Sequence, residues 1–130
     1  MKLLASPEAF QNEFKRLMRQ YSHFDWAVAW ASNGTATLDA LRRHQAKIRN
    51  VVIGTHFHQT HPEFLEEFAR HPGVRFRLDP QGTNGVFHPK VYLFSNDDHS
   101  WEAVIGSANF TTAAFSRNVE HSILFGSADA

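Results

Sequence analysis

The sequence predicts an α/β domain with a mixed, largely parallel sheet flanked by helices on both faces. Over the first 78 residues, short apolar runs typical of buried strands alternate with stretches whose apolar residues recur at helical spacing. Strands that alternate with helices in this way are joined by right-handed crossovers and pair in parallel. At 130 residues the chain can bury one core but not two, so we expect a single domain over residues 1–130.

The first helix has a clear start signal. Ser6 suits the N-cap, Pro7 suits the first turn, and apolar residues then recur every three or four positions to about residue 21. The elements expected next are a buried strand at 24–32, an amphipathic helix at 35–47, a second buried strand at 49–57, a short helix at 62–70 and a third strand at 74–78.

The pattern changes after Pro80, where strands follow one another without long helices between them. A turn at 81–85 leads to a strand at 86–94, and the polar loop 95–100 leads to another at 101–105. Two strands joined by so short a loop are expected to be antiparallel neighbours. A short helix at 112–116 and a last strand at 119–125 complete the predicted domain.

Composition excludes several classes of protein. The formal net charge is +0 with nine histidines uncounted, so the chain as a whole is not basic. With no cysteine, disulfide frameworks, thiolate nucleophiles and cysteine-ligated zinc are excluded. No apolar run approaches the roughly 18 residues of a membrane span, and the amino-terminal run is too short for a signal peptide. We therefore expect a soluble, cytoplasmic protein with no membrane partner.

Five polar residues near the carboxyl half share a chemistry. A strand would place His88 and Lys90 on one face, since strand side chains alternate, and extended backbone beyond Gly106 would do the same for Ser107 and Asn109. Glu120 is expected just inside the last strand. Histidine can serve as nucleophile or proton donor, lysine as a fixed positive charge, and serine and asparagine as neutral donors. This set suits attack on a phosphodiester.

The pattern resembles the signature of the phospholipase D superfamily, which reads H-x-K, a downstream aspartate, G-S-x-N and a later Asn-x-Glu. Residues 88–90 match the first part, residues 106–111 the second and residues 118–120 the third. The resemblance is closest to the single-motif, nuclease-like branch, which includes domains associated with restriction enzymes and helicases. Ser95 stands where the family has its aspartate, so we expect weaker structural support at that position.

The resemblance implies a phosphodiesterase that works through a phosphohistidine and needs no metal or other cofactor. His88 would attack phosphorus, Lys90 and Asn109 would hold the non-bridging oxygens, Ser107 would assist them, and Glu120 would orient His88. A second, protonated histidine must donate to the leaving oxygen. Since the chain has only one H-x-K, the resemblance implies a homodimer whose two-fold axis brings both copies of His88 to a shared site. Nucleic acid is the expected partner, DNA rather than RNA.

A second group of histidines supports an alternative. His56, His58 and His61 follow a predicted strand with spacing similar to the T-H-x-H-x-D-H zinc motif of metallo-β-lactamase-like hydrolases, although Thr60 replaces the aspartate. We expect no dedicated metal site, since the chain is short for that fold. At the carboxyl end of a parallel strand, His56 and His58 would instead line the substrate groove.

Two further hypotheses stay open. One is a catalytically weak module that targets a helicase or restriction subunit to nucleic acid. The other concerns two clusters of basic residues. Such clusters are more often solvated surface, but if the protein binds nucleic acid, one of them would be expected at the rim of the groove. These clusters are Arg42, Arg43, Lys47 and Arg49 in the first and Arg75 and Arg77 in the second. Phe24, Trp26 and Trp30 are predicted to be core.

Overall fold

A computed structural model of the chain describes residues 1–34, 36–78 and 85–129. The turn expected at 81–85 therefore lies almost entirely outside the described residues. The strands are β1 (Lys2–Leu4), β2 (His23–Val28), β3 (Ile48–Gly54), β4 (Val74–Arg77), β5 (Lys90–Ser95), β6 (Trp101–Gly106) and β7 (Ser122–Gly126). The helices are α1 (Pro7–Gln20), α2 (Ala36–Arg43), α3 (Pro62–Phe68) and α4 (Thr112–Ser116).

The strands form one mixed sheet in the order β1-β7-β6-β5-β2-β3-β4. This confirms the predicted mixed α/β class, but the sheet is not largely parallel. Only the pairs β2–β3 and β3–β4 are parallel, whereas the other four neighbouring pairs are antiparallel. The reason is that β5, β6 and β7 follow one another without crossover helices, and successive strands joined in this way run in opposite directions.

The helices also pack on one face of the sheet rather than on both. Their buried residues and the inward side chains of the strands form one core cluster, in which Phe14 of α1, Phe64 of α3 and Phe110 are linked through ring contacts. Strands β1, β2, β3 and β4 advance across the sheet in one direction. Right-handed crossovers that advance in one direction lie on the same face, which explains why α1, α2 and α3 share it.

The second face carries a row of apolar side chains in cross-strand register. Adjacent strands contribute one residue each, so that these side chains point to the same side. The row is Leu3, Ile123, Ile105, Val91, Ala27 and Val52. Leu3, Ile105 and Ile123 are exposed, and within the described ranges no helix is assigned to this face.

Local signals explain the elements that sequence predicts well. Ser6 caps α1 by accepting a hydrogen bond from the Ala9 N–H at 3.1 Å, and Thr111 caps α4 in the same way from Ala114.

Two strands begin later than expected. Strand β5 begins at Lys90 because Pro89 has no N–H for the ladder, and β7 begins at Ser122, so His88 and Glu120 precede their strands. None of the helices of the described chain is long and apolar enough to cross a membrane.

Candidate active site

Strand directions bring the predicted site residues to one edge of the sheet. This edge holds the carboxyl ends of β2, β3, β4 and β6 and the amino ends of β5 and β7, because the two sets run in opposite directions. His88 lies just before β5, Ser107 and Asn109 just after β6, and Glu120 just before β7. The five residues predicted from spacing are therefore collected at one edge, where open α/β sheets place their sites.

The centre of the site is a contact between His88 and Lys90. The Lys90 Nζ lies 2.8 Å from Nδ1 and 2.9 Å from Nε2 of the His88 ring, and it donates to the His88 carbonyl oxygen at 3.1 Å. His88 is exposed, whereas Lys90 is buried, with 9% of its surface accessible. A neutral imidazole has one ring nitrogen that can accept a hydrogen bond from the ammonium, whereas a protonated ring has none, so this close contact favours the neutral imidazole.

The electrostatics favour the same protonation state. Desolvation, and then the positive charge of Lys90, lower the pKa of His88 below its ordinary value. Desolvation also lowers the pKa of Lys90, while the negative charge of Glu120 acts in the opposite direction. A lowered histidine pKa keeps the imidazole neutral near pH 7, which is the form that can act as a nucleophile.

Trp30 joins three parts of the site, although sequence analysis predicted it to be core. Its ring meets the His88 ring edge to face, with 5.2 Å between centroids, and the Lys90 Nζ lies 6.0 Å from its ring centroid. Its backbone N–H donates to Asn109 Oδ1 at 3.2 Å. Because that oxygen is the acceptor, the amide nitrogen of Asn109 is left as the donor for a substrate. The signal that could have found Trp30 is its position directly after a parallel strand.

Glu120 contacts Ser107 rather than His88. Ser107 Oγ donates to Glu120 Oε2 in a short hydrogen bond, and Asn118 Nδ2 donates to Glu120 Oε1 at 3.0 Å. The expectation that Glu120 directly orients His88 is therefore wrong for this arrangement. Glu120 precedes β7, next to the end of β6, so its nearest polar neighbour belongs to the Gly106-Ser107 turn.

The turn after β6 is fixed by close contacts with β7, with Tyr92 and with the core. A Cβ at Gly106 would lie 2.3 Å from the His121 carbonyl oxygen, so only glycine allows β6 and β7 to approach this closely. The buried Tyr92 hydroxyl donates to the Ala108 carbonyl oxygen at 2.8 Å. Phe110 is buried in the core. These contacts fix the backbone from which the side chains of Ser107 and Asn109 project.

Ser95, the residue that replaces the family aspartate, lies far from His88. It ends β5 at the opposite edge of the sheet, and seven extended residues span about 23 Å at about 3.3 Å per residue. Its strand partners are His23 and Trp101. An open groove of 710 Å³ at that edge is lined in part by Ser95 and Asp97. The replacement at Ser95 therefore affects the far edge of the sheet and not the edge that holds the candidate site residues.

The second group of histidines is dispersed. His56 is completely buried, and its Nε2 is 3.5 Å from the Phe87 N–H, so it cannot line a substrate groove as expected. His58 is exposed, and His61 caps α3 by accepting from the Glu63 N–H through Nδ1. Within the part of the chain that the structure describes, no three histidine or acidic side chains are grouped to hold a metal ion.

The two basic clusters differ in how far carboxylates compensate their charges. Arg42 is paired with Glu67 and Asp39, and Arg49 with Asp25, so the charge of the first cluster is largely compensated. Lys47 donates to the Met18 carbonyl oxygen. Arg77 ends β4 at the edge that carries the site, and it has no carboxylate partner among the described residues.

The fold of this chain is similar to that of two solved nuclease-type structures, one of them from the phospholipase D family. Its seven-stranded sheet resembles that of NucT from Helicobacter pylori, with a TM-score of 0.67 and 16% identity over 95% of this chain and 82% of that chain. The phospholipase D family member Nuc from Salmonella typhimurium gives a TM-score of 0.63 and 20% identity over 95% of this chain and 80% of that chain.

A family model matches the carboxyl-terminal part of the chain. The family described as the NgoFVII restriction endonuclease N-terminal PLD domain matches residues 80–129, which include all five predicted site residues. No curated protein gives a significant match to this chain. The resemblance to the nuclease-like branch of the phospholipase D superfamily is thus confirmed.

The lowered pKa of His88 yields a prediction for NMR titration. The His88 imidazole should titrate below the ordinary histidine value of about 6.5, since both desolvation and Lys90 disfavour the protonated ring. In Lys90→Gln the charge is removed and the midpoint should move to higher pH. A His88 midpoint at or above 6.5 in the parent protein, or an unchanged midpoint in Lys90→Gln, would contradict this account of the site.

Proposed function

We propose that the chain is a metal-independent nuclease that cleaves phosphodiesters through a phosphohistidine formed on His88. The observation that carries the proposal is the close contact between the Lys90 ammonium and the His88 ring, which favours a neutral imidazole. A neutral imidazole beside a fixed positive charge is the arrangement needed to attack an anionic phosphate. The description of the matched family as a restriction endonuclease domain supports DNA as the substrate.

In the first step, a lone pair of the His88 ring would attack phosphorus. The N–P bond forms as the bond from phosphorus to the leaving oxygen breaks. Lys90 and the amide nitrogen of Asn109 would bind the non-bridging oxygens, whose negative charge increases in the transition state. Glu120 would act through Ser107, which it holds at the turn after β6. Trp30 would keep the imidazole and Asn109 in position.

The leaving oxygen needs a proton that a neutral His88 cannot supply. We propose that the partner subunit's His88, in its protonated form, supplies this proton and then removes one from the water that breaks the N–P bond. The two imidazoles would then titrate as a coupled pair, with a bell-shaped dependence of kcat/KM on pH.

The surface around the site supports a homodimer. Val86, Ile105, Val119 and Ile123 are each more than two-fifths exposed, and Val119 reaches 85%. In sequence they flank His88, Ser107 and Glu120. Apolar residues grouped at a polar site are typical of a surface that another chain covers. We call these four apolar residues the rim of the site. A two-fold axis beside the rim would both bury these residues and bring the two copies of His88 together.

Cleavage assays in EDTA test the chemistry. Plasmid and single-stranded DNA should be cleaved with EDTA present, and His88→Ala should lower the rate by at least about a thousandfold because it removes the nucleophile. His99→Asn is the matched control, since His99 lies at the far edge of the sheet at φ 67°, where asparagine is well tolerated. Loss of cleavage on chelation, or cleavage by His88→Ala at the parent rate, would contradict the proposal. Binding without turnover would favour a targeting module.

Charge placed at the rim tests the shared site. Val119→Asp should give a monomer by sedimentation velocity at micromolar concentration, with specific activity reduced at least tenfold, because a charged carboxylate opposes burial of the rim. Val119→Ala keeps the rim apolar and should remain an active dimer. A parent protein that is monomeric yet fully active, or a Val119→Asp monomer with full activity, would refute the shared site.

A further inference from the structure

A strained turn presents an aromatic ring beside the candidate site. The turn at His56–His58 follows β3, and Phe57 and His58 have φ angles of 56° and 55°. Two consecutive non-glycine residues in the left-handed region are costly, and such strain persists only where the surroundings enforce it. Phe57 is nevertheless 49% exposed. The turn therefore holds a large apolar ring in solvent at an energetic cost.

Buried polar residues on both sides of the turn enforce this conformation. Thr55 donates to the Arg77 carbonyl oxygen through Oγ1 at 2.7 Å and through its N–H at 3.2 Å. Thr60 Oγ1 donates to the Gly54 carbonyl oxygen at 2.6 Å and accepts from the Ala31 N–H. These bonds fix the base of the turn to the ends of β3 and β4, while its tip projects outward.

Arg77 lies on the same edge, with its guanidinium over an aromatic ring. Its guanidinium carbon is 5.5 Å from the centroid of the Phe87 ring. Phe87 in turn lies close against β3, since a Cβ added to Gly54 would be 3.0 Å from Phe87 Cδ1. A guanidinium that contacts a ring face can still donate its N–H groups to a phosphate, and less side-chain entropy is lost on binding.

Phe57 and Arg77 lie on chain segments that are next to His88. Phe87 directly precedes His88, and the backbone of Arg77 is bonded to Thr55, two residues before Phe57. The aromatic ring of Phe57 and the cation of Arg77 thus lie on the segments next to His88, on the side toward β4. An aromatic face together with a cation is the combination that binds unpaired nucleotides, because the base stacks on the ring and the phosphate contacts the charge.

We propose that Phe57 and Arg77 form a binding site for an unpaired nucleotide that flanks the scissile phosphate. Phe57 stacks with the base, and Arg77, supported by Phe87, binds the adjacent phosphate. A base can stack on Phe57 only when it is not in a duplex, so this site gives the protein a preference for single-stranded nucleic acid. The inference rests on the proposed nuclease function and specifies its substrate class.

Fluorescence anisotropy tests the site in a His88→Ala background, with a fluorescein-labelled oligodeoxythymidylate and a duplex of the same length. Phe57→Ala should weaken binding of the single strand roughly five- to hundredfold and leave duplex binding within about twofold. Phe57→Trp should bind the single strand at least as well as the parent. Urea unfolding midpoints of the Phe57 variants should match the parent, since Phe57 lies outside the core cluster.

Arg77→Gln should reduce the slope of log affinity against log salt by about one for the single strand, as expected for the loss of one phosphate contact. Arg75→Gln is the matched control, because Arg75 is exposed on the same strand and face and donates to Asn50 Oδ1 at 3.4 Å. Equal effects of the two arginine variants would overturn the site.

The outcomes separate this inference from the function on which it rests. If the protein binds and cleaves nucleic acid while Phe57→Ala and Phe57→Trp bind the single strand equally well, the nucleotide site is wrong and the nuclease function stands. If the parent cleaves a small phosphodiester but binds no oligonucleotide, both the nucleotide site and the nucleic-acid substrate are refuted.

Discussion

The contact between Lys90 and His88 is the interaction on which the site depends. A lysine as buried as Lys90 is costly unless its charge is compensated, and here it donates to the His88 carbonyl oxygen and contacts the His88 ring, of which one nitrogen can accept when the imidazole is neutral. The same contact disfavours protonation of the imidazole. One pair thus compensates a buried charge and keeps neutral the imidazole that the proposed mechanism uses as its nucleophile, and both effects are lost if the two residues separate.

The fold places this pair through β5, which is hydrogen-bonded on both sides. Strand β5 lies between β2 and β6, and Lys90 pairs with Val28 while Val91 pairs with Ile105. Pro89 ends the ladder at this point, although its carbonyl oxygen still accepts from Ala29 at 2.8 Å. His88 therefore lies outside the sheet, just before β5 enters the core, and Trp30, which follows the neighbouring strand β2, packs against it. The rigid element supplies the lysine and the exposed segment supplies the histidine.

Sequence predicts the parts of this structure that local signals determine. The cap at Ser6 and the apolar runs of β2, β3 and β6 place those elements within a few residues, and the spacing of His88 and Lys90 predicts that their side chains share a face. Strand β1 has three residues and is defined by pairing with β7, some 120 positions away, so no local pattern reveals it. The burial of His56 and the contact of Glu120 with Ser107 also depend on which strand ends become neighbours, and that is a property of the sheet order.

Mass spectrometry of the protein quenched during single turnover tests the central claim most directly. After rapid mixing with a short oligonucleotide in EDTA and quenching under alkaline denaturing conditions, the account predicts a nucleotidyl adduct on the peptide that contains His88, formed and lost at rates consistent with turnover. Product formation without any adduct, or an adduct on another residue at the same rate, would contradict it.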